Sequence, residues 1–512
     1  VNNSYDYVII GAGIGGLFTG ALLARHGAKV CVLEQHLAPG GYGHSFTRGD
    51  YTFCTELHYI WNCGKQEDGE YVLKRLGLEN DITFTPLDPE GFDHLYFPGF
   101  SYKIVKGFKR NLEFLSKIYP SHRDALSRYF NLVQVLHDEM KQLPISVSFS
   151  KLLPHAFRFQ HVLRYHKWTT QDLFDRLQLP IELQSILAGQ SGNLLAPPER
   201  ASLLIHAAMV TGLDRSACVP TKSYKHLFES LVKTIESRQN GQVKFARRVV
   251  EMKAEHGQIV RVTDEDKNNY FADRYIYNGD PKLLPSLLAG VRFPRSFSKK
   301  LSYNYSPSAF TIYLGLKDLD LREFGFGNWN VWHYSDRDVN QAFQRQLVEK
   351  KFDDPSLFIS TPTLHREIKN LVPKDRHQMV ICTMCDYACM KDYKEKGKTI
   401  YLAEKNRITQ RVLDQVQKHY IPDFRKHIDL LIAGTPLTME RFVLAPEGNS
   451  YGADLTPLNI NLGKIDCHSP YANLFLVGAT AGAPSFAGGI HFSALLFEML
   501  TGEKILPARH VS

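Results

Sequence analysis

Near its N-terminus the chain carries the run Gly11-Ala12-Gly13-Ile14-Gly15-Gly16, and Glu34 closes the next apolar stretch. In such a run the first glycine allows a tight turn and the third residue lets a pyrophosphate approach the backbone. The sixth lets a helix pack closely on a strand. A helix that starts there offers free N–H groups and the positive end of its dipole to a diphosphate. A carboxylate at Glu34 can accept hydrogen bonds from ribose hydroxyls, and it disfavours the 2′-phosphate of NADP. A second glycine turn, Pro39-Gly40-Gly41-Tyr42-Gly43-His44, follows shortly after. Together these residues point to a bound dinucleotide.

The elements that must position them are legible around the turn. Tyr5–Ile10 reads as a buried strand of a parallel sheet, a small-residue helical stretch runs to about Arg25, and Lys29–Leu33 reads as a second strand. This is a complete βαβ unit. The chain of 512 residues exceeds one ordinary core, so it divides into two to four domains or is one large fold with insertions. With 44% hydrophobic and 22% charged residues, disorder, collagen and coiled coil are excluded. A net charge of +8 is too small to argue for nucleic acid but suits an anionic membrane surface. Eight cysteines do not make a disulfide scaffold, so a reducing compartment is expected.

Val8–Ala24 is uncharged but glycine-rich and follows no basic segment, so a signal peptide is not expected. Cys467–Phe497 is also uncharged, yet Pro470, Gly478, Gly482, Pro484, Gly488 and Gly489 break it into loop, strand, loop and helix. No transmembrane helix is expected, and the location is cytoplasmic or peripheral to a membrane.

Rival motifs are weaker. Cys382-x-x-Cys385-x-x-x-Cys389 sits in Met-Val-Ile-Cys-Thr-Met-Cys, a buried strand whose alternation splays Cys382 from Cys385, so no metal is expected. Lys396-Gly397-Lys398-Thr399 lacks the earlier glycine and preceding strand of a P-loop. His-Glu-x-x-His and a second Gly-x-Gly-x-x-Gly are both absent. Stable NAD(P)H binding in addition to the first dinucleotide therefore has no support, and electrons for a redox cofactor held there must come from the substrate, a quinone or an external reductase.

Nicotinamide dehydrogenases do not usually place a second glycine turn after the second strand, whereas many flavoproteins do. From that turn onward the chain resembles the flavin-dependent phytoene desaturase superfamily, and within it the carotenoid isomerase and retinol saturase branch. That branch typically reads Phe-Asp-x-Gly-x-His-Tyr, matched here by Phe53-Cys54-Thr55-Glu56-Leu57-His58-Tyr59, with Cys54 and Glu56 as departures. Val249–Met252 with Gly257–Val260 resembles the strand and hairpin that hold the adenine. Tyr277-Asn278-Gly279-Asp280-Pro281, Asn473–Ala479 and Gly488-Gly489-Ile490 resemble the later flavin-side segments, the last opening a helix whose dipole would face the flavin. Gly189–Asn193 through Pro197-Pro198 to His206 is similar to the branch's helix-loop-helix, and the turn at Val219–Ser223 lacks that branch's two glycines.

The resemblance implies an α/β fold: a discontinuous Rossmann-type FAD-binding domain over 1–78, 218–285 and 435–512, with an inserted mixed α/β substrate-binding domain over 79–217 and 286–434. FAD would be held by Gly11, Ala12, Gly13, Gly15, Gly16, Glu34, Gln35, His36, Gly40, Gly41, Leu57, Val249, Asn278, Gly478, Ala479, Gly489 and Ile490. The implied activity is oxidoreduction at C=C bonds of a long hydrophobic polyene, carotenoid- or retinoid-like. Saturation or cis–trans isomerisation is favoured and desaturation is also open. A flavin amine oxidase and a non-enzymatic lipid carrier on the same fold are the alternatives.

The catalytic candidates are Glu56 and His58. A glutamate beside flavin and an apolar substrate is poorly solvated, which raises its pKa and keeps it protonated near neutrality. It could then act as the acid that completes hydride addition, with His58 as orienting partner or alternative acid. The structural alternative has Glu56 capping a turn or pairing with Arg48. Finally, 140–171 contains no acidic residue but holds Lys141, Lys151, Arg158, Arg164 and Lys167 with Phe149, Phe157, Phe159, Tyr165 and Trp168. Basic heads on aromatic bodies suit peripheral insertion at a bilayer surface; a solvated helix pair is the alternative. The expected partners are the polyene, a membrane surface and an external electron donor or acceptor, without nucleic acid.

Overall fold

The computed structural model describes residues 4–147, 152–237, 241–288, 290, 292–365 and 371–507. The opening unit forms as its composition dictates: β1 (Ser4–Ile10), α1 (Ile14–His26) and β2 (Val30–Leu33). Every residue of β2 is buried, and α1 is buried from Gly15 to Ala24, because its side chains are apolar or small on all faces. The helix stops at Gly27, which adopts φ 108° and turns its N–H back to the Ala24 carbonyl.

Two seven-stranded sheets organise the molecule. In the first, β1 lies between β2 and Asn269–Tyr277, both parallel to it. Gln242–Lys244 extends the β2 side in parallel, and Leu474–Leu476 pairs in parallel with Asn269–Tyr277. The hairpin Val249–Glu255 and Gln258–Asp264 adds antiparallel strands at the edge. The second sheet runs in the order 428–434, 308–316, 377–385, 357–360, 330–333, 93–97, 100–104 and is antiparallel except where 330–333 meets 93–97. The α/β architecture with a Rossmann-type unit is the expected one.

The stretch 467–497 contains the strand Leu474–Leu476 and the helix Ser485–Thr501, with loop between them. This helix starts at Ser485, three residues before the expected Gly488, and packs against α1. A Cβ on Gly489 would stand 2.6 Å from Ile14 Cγ2, so only glycine permits this approach. Ser493 donates to the Gly15 carbonyl at 3.1 Å, and Phe18 meets Phe486 edge to face at 5.8 Å. Among the described residues no helix is long and apolar enough to cross a membrane.

Of the basic-aromatic stretch, 148–151, with Phe149 and Lys151, lies outside the described residues. The rest is irregular: a 3-10 turn at Leu153–His155 and a short helix at Gln160–Tyr165. Phe159 is fully buried, but Leu153 and Phe157 are 59% and 71% exposed. The Arg158 guanidinium lies over the Phe157 ring at 5.5 Å.

Candidate active site

A cavity of about 440 Å³ takes its walls from both sheets and from the two glycine turns. At one end stands the N-terminus of α1. Its N-cap is Gly13, no side chain caps it and its first turn holds no acid, so its free N–H groups face the cavity. The turn is tightly built: a Cβ on Gly16 would fall 2.1 Å from the Gly11 carbonyl oxygen, and one on Gly41 would fall 3.1 Å from Gly13 Cα. Gly40 donates its N–H to the Ala12 carbonyl at 2.8 Å, laying the second glycine turn against the first. Asn278 completes the corner, donating through its backbone to Ile10 and through Nδ2 to Gly11.

Glu34 is buried beneath this corner. Its Oε2 accepts the Ala12 N–H at 2.6 Å and its Oε1 the His36 N–H at 2.7 Å. Burial raises its pKa, and the two N–H donors oppose that shift. The carboxylate therefore clamps the glycine turn to the end of β2, and each oxygen keeps a lone pair for a ligand in the cavity. An open helix N-terminus, a cradle that a Cβ would fill and a carboxylate beside it fit the diphosphate and ribose of a dinucleotide.

Gly11, Gly13, Gly15, Glu34, Gln35, His36, Gly40, Gly41, Leu57, Val249, Asn278, Gly478, Ala479 and Gly489 all line this one cavity, although they come from distant parts of the chain. Ala12, Gly16 and Ile490 do not line it. Ala12 reaches the site through its N–H on Glu34, and Gly16 packs on Gly11. Ile490 faces the core between the last helix and α1.

Glu56, Leu57 and His58 line the cavity further along. They follow the strand Tyr51–Cys54, and their loop is anchored on two sides. The Thr55 hydroxyl donates to the Tyr42 and His44 carbonyls, and the Tyr313 hydroxyl donates to the Thr55 carbonyl at 3.0 Å. Glu56 Oε1 accepts from the Thr311 hydroxyl at 3.4 Å. Neither Arg48 nor any other cation among the described residues forms an ion pair with Glu56. Burial lifts its carboxyl to about 7, with the Thr311 hydrogen bond opposing. Burial also lowers His58 to about 4. Near neutrality Glu56 thus holds a proton in good part, while His58 is a neutral imidazole.

Two residues that sequence reasoning did not assign to the site join this pair. Cys382 Sγ lies 3.3 Å from His58 Nε2 and 3.7 Å from Thr311 Oγ1, and burial holds its thiol protonated. Thr311 and Cys382 are cross-strand partners, so their side chains share one face. Cys385 points to the opposite core, as the alternation predicts. The cavity continues between Trp332, Phe343 and Phe358. Gly192 makes room there, since its Cβ would fall 2.1 Å from Trp332 Cζ3.

A family model described as an NAD(P)-binding Rossmann-like domain matches residues 9–76. An all-trans-retinol 13,14-reductase of Danio rerio is 25% identical, with 96% of this chain and 85% of that protein aligned. A chloroplastic prolycopene isomerase of Arabidopsis thaliana is 23% identical, with 88% and 74% aligned. The fold is shared with a cyclohexylamine oxidase from Brevibacterium oxydans at a TM-score of 0.62 and 14% identity, covering 97% of this chain and 99% of that one. The resemblance carried by the motifs thus extends over most of the chain, which is similar to the carotenoid isomerase and retinol saturase branch of the phytoene desaturase superfamily.

Proposed function

We propose that this protein is an FAD-dependent oxidoreductase acting on C=C bonds of a long hydrophobic polyene, carotenoid- or retinoid-like, by saturation or cis–trans isomerisation. The observation that carries this reading is Glu56: a carboxyl near pKa 7, without a cationic partner, in the same cavity as the dinucleotide cradle and an aromatic-walled chamber. Retinol-reducing and prolycopene-isomerising relatives support the substrate class. FAD is favoured over a nicotinamide dinucleotide by the second glycine turn, and the first sheet with its helices forms the FAD domain. The second sheet and the helices between 79 and 217 form the substrate domain.

When bound, a reduced flavin would supply the hydride for one carbon of the double bond. The chain's own residues do the rest. The cradle at Gly11–Gly16, Gly40 and Gly41 would hold the diphosphate, and Glu34 would accept from the ribose hydroxyls. Trp332, Phe343 and Phe358 flatten the polyene against the wall and keep water out. Glu56 delivers a proton to the carbon next to the one reduced, and its buried setting holds that proton ready at neutral pH. His58, neutral and bonded to Cys382, orients the group. Protonation and return of the same proton through Glu56 serves isomerisation without net oxidation.

An amine oxidase shares the fold, but the relatives aligned over most of this chain act on polyenes by name, which favours the polyene reading. An intact cradle clamped by Glu34 argues against a carrier. We place the membrane contact at the exposed Leu153 and Phe157 beside Arg158, and the electrons for net reduction come from an external donor. The visible spectrum of the purified protein is the first test, followed by anaerobic photoreduction and addition of candidate polyenes. Flavin bands that return as polyene is consumed are expected. Colourless protein that takes up no FAD would sink the proposal.

A further inference from the structure

A second polar group opens onto the same cavity, away from Glu56 and His58. Asp93 is fully buried on the strand Asp93–Phe97. Its Oδ2 accepts from the Tyr59 hydroxyl at 3.0 Å and from Gln190 Nε2 at 2.5 Å. Because the hydrogen of Tyr59 goes to Asp93, the phenolic oxygen is left as an acceptor, and Asn193 Nδ2 donates to it at 2.6 Å. That fixes which way the Asn193 carboxamide turns. Tyr59 and Asn193 line the cavity; Asp93 and Gln190 stand behind them.

The surroundings are apolar. Tyr59 stacks on Phe358 at 6.1 Å, and Trp332 packs on the same ring at 4.5 Å. Polar groups in such a wall are costly unless they are bonded, and these are bonded to one another. Asn330, the cross-strand neighbour of Asp93, and Trp332 also hydrogen-bond the Asp93 carboxyl. The network holds Tyr59 and Asn193 in fixed orientations at the edge of the cavity, and Asn193 is the member with polar groups left to meet a ligand.

Its chemistry selects the ligand group. Asn193 is partly exposed to the cavity, with Oδ1 and its second N–H still available. One acceptor and one donor side by side match a hydroxyl, which both donates and accepts. A carboxylate offers no donor and would face the Asp93 carboxyl. The arginines that line the cavity, Arg247 and Arg248, adjoin Val249 at the dinucleotide end and leave this wall without a cation.

We propose that Asn193, oriented by Tyr59 and Asp93, is a specificity-determining residue that hydrogen-bonds the hydroxyl of a neutral polyene alcohol, so that the cavity selects an alcohol over the matching acid or ether. The inference rests on the polyene reading above and deepens it.

The test is fluorescence titration of the flavin-loaded protein with all-trans-retinol, all-trans-retinoic acid and retinyl methyl ether. The alcohol should bind about tenfold more tightly than the other two, the scale of one hydrogen bond. N193L should weaken the alcohol by about tenfold and leave the ether unchanged. Tyr59→Phe keeps the stacking on Phe358 and releases the Asn193 carboxamide, so it should narrow the gap between alcohol and ether even if N193L folds poorly. A network that serves stability alone would lower the melting temperature in both variants without altering that gap. Equal affinity of the wild type for alcohol and ether, or equal loss for all three ligands in the variants, overturns the inference and leaves the polyene reading intact. A flavin-loaded wild type that binds none of the three overturns both.

Discussion

Thr311 and Cys382 stand opposite each other on neighbouring antiparallel strands, Oγ1 3.7 Å from Sγ, and each reaches a different residue of one loop. Thr311 touches Glu56 and Cys382 touches His58. The two catalytic candidates are therefore connected through the wall of the second sheet.

Glu56 lies near 7 because burial disfavours its anion, so the competent form is the protonated one. The proton-dependent rate should be flat at low pH and fall by about tenfold per unit above roughly pH 7. Glu56→Gln should keep flavin and fold, lose at least about tenfold in turnover, and abolish that alkaline arm. His58→Gln should lose less, since a histidine lowered to about 4 carries no proton to give at neutrality. Wild-type rates for both variants in a pH–rate profile would move the proton donor elsewhere.

Thr311→Val removes a hydrogen bond that lowers the Glu56 pKa. The carboxyl should then titrate at higher pH, and the alkaline arm should shift upward with it. An unmoved arm would separate Thr311 from the acid.

Gly13→Val should abolish FAD binding. Even a Cβ at this position meets Asn278 Nδ2 at 2.9 Å, and a larger side chain fills the space the diphosphate needs. Full flavin content in the purified variant, measured by absorbance, would refute the cradle.

Glu34 holds two backbone N–H groups in addition to any ribose. Glu34→Gln keeps the shape but turns an amide NH₂ toward one of them. It should destabilise the flavin-free protein by about 1–3 kcal/mol, the cost of a buried unsatisfied donor. Thermal melts of flavin-free wild type and variant check this, and coincident melts would confine Glu34 to ligand binding.

Arg158, Arg164 and Lys167 are exposed. Replacing all three by Glu should release the protein from anionic liposomes, since each basic group near such a surface contributes about 1 kcal/mol. A wild type that does not sediment with those liposomes at low salt removes the membrane contact.

The dinucleotide end was legible in the sequence because its constraints are local. Gly11, Gly13 and Gly16 are needed by a turn a few residues long, and Glu34 closes the adjacent strand. The reacting end was legible only in part. Glu56 and His58 stood out as a departure from, and a match to, a known motif. Thr311 and Cys382 carried no such mark, for alternation along 377–385 tells which residues share a face but not what that face meets. Asn193 and Asp93 were hidden for the same reason: their meeting at Tyr59 depends on the packing of the helices between 79 and 217 on the second sheet. Ile490 packs in the core beside α1 and does not line the cavity, on a helix that starts earlier than its glycine pair suggests.

The seating of the last helix on α1 also bears on biosynthesis. Leu474–Leu476 pairs with Asn269–Tyr277, and Gly489 lets the C-terminal helix cover Ile14 at the mouth of the cradle. While the ribosome still holds these segments, the nascent chain has an unfinished sheet and an uncovered apolar helix. The dinucleotide cradle is therefore complete only once the segment Leu474–Thr501 has been made and has folded onto α1.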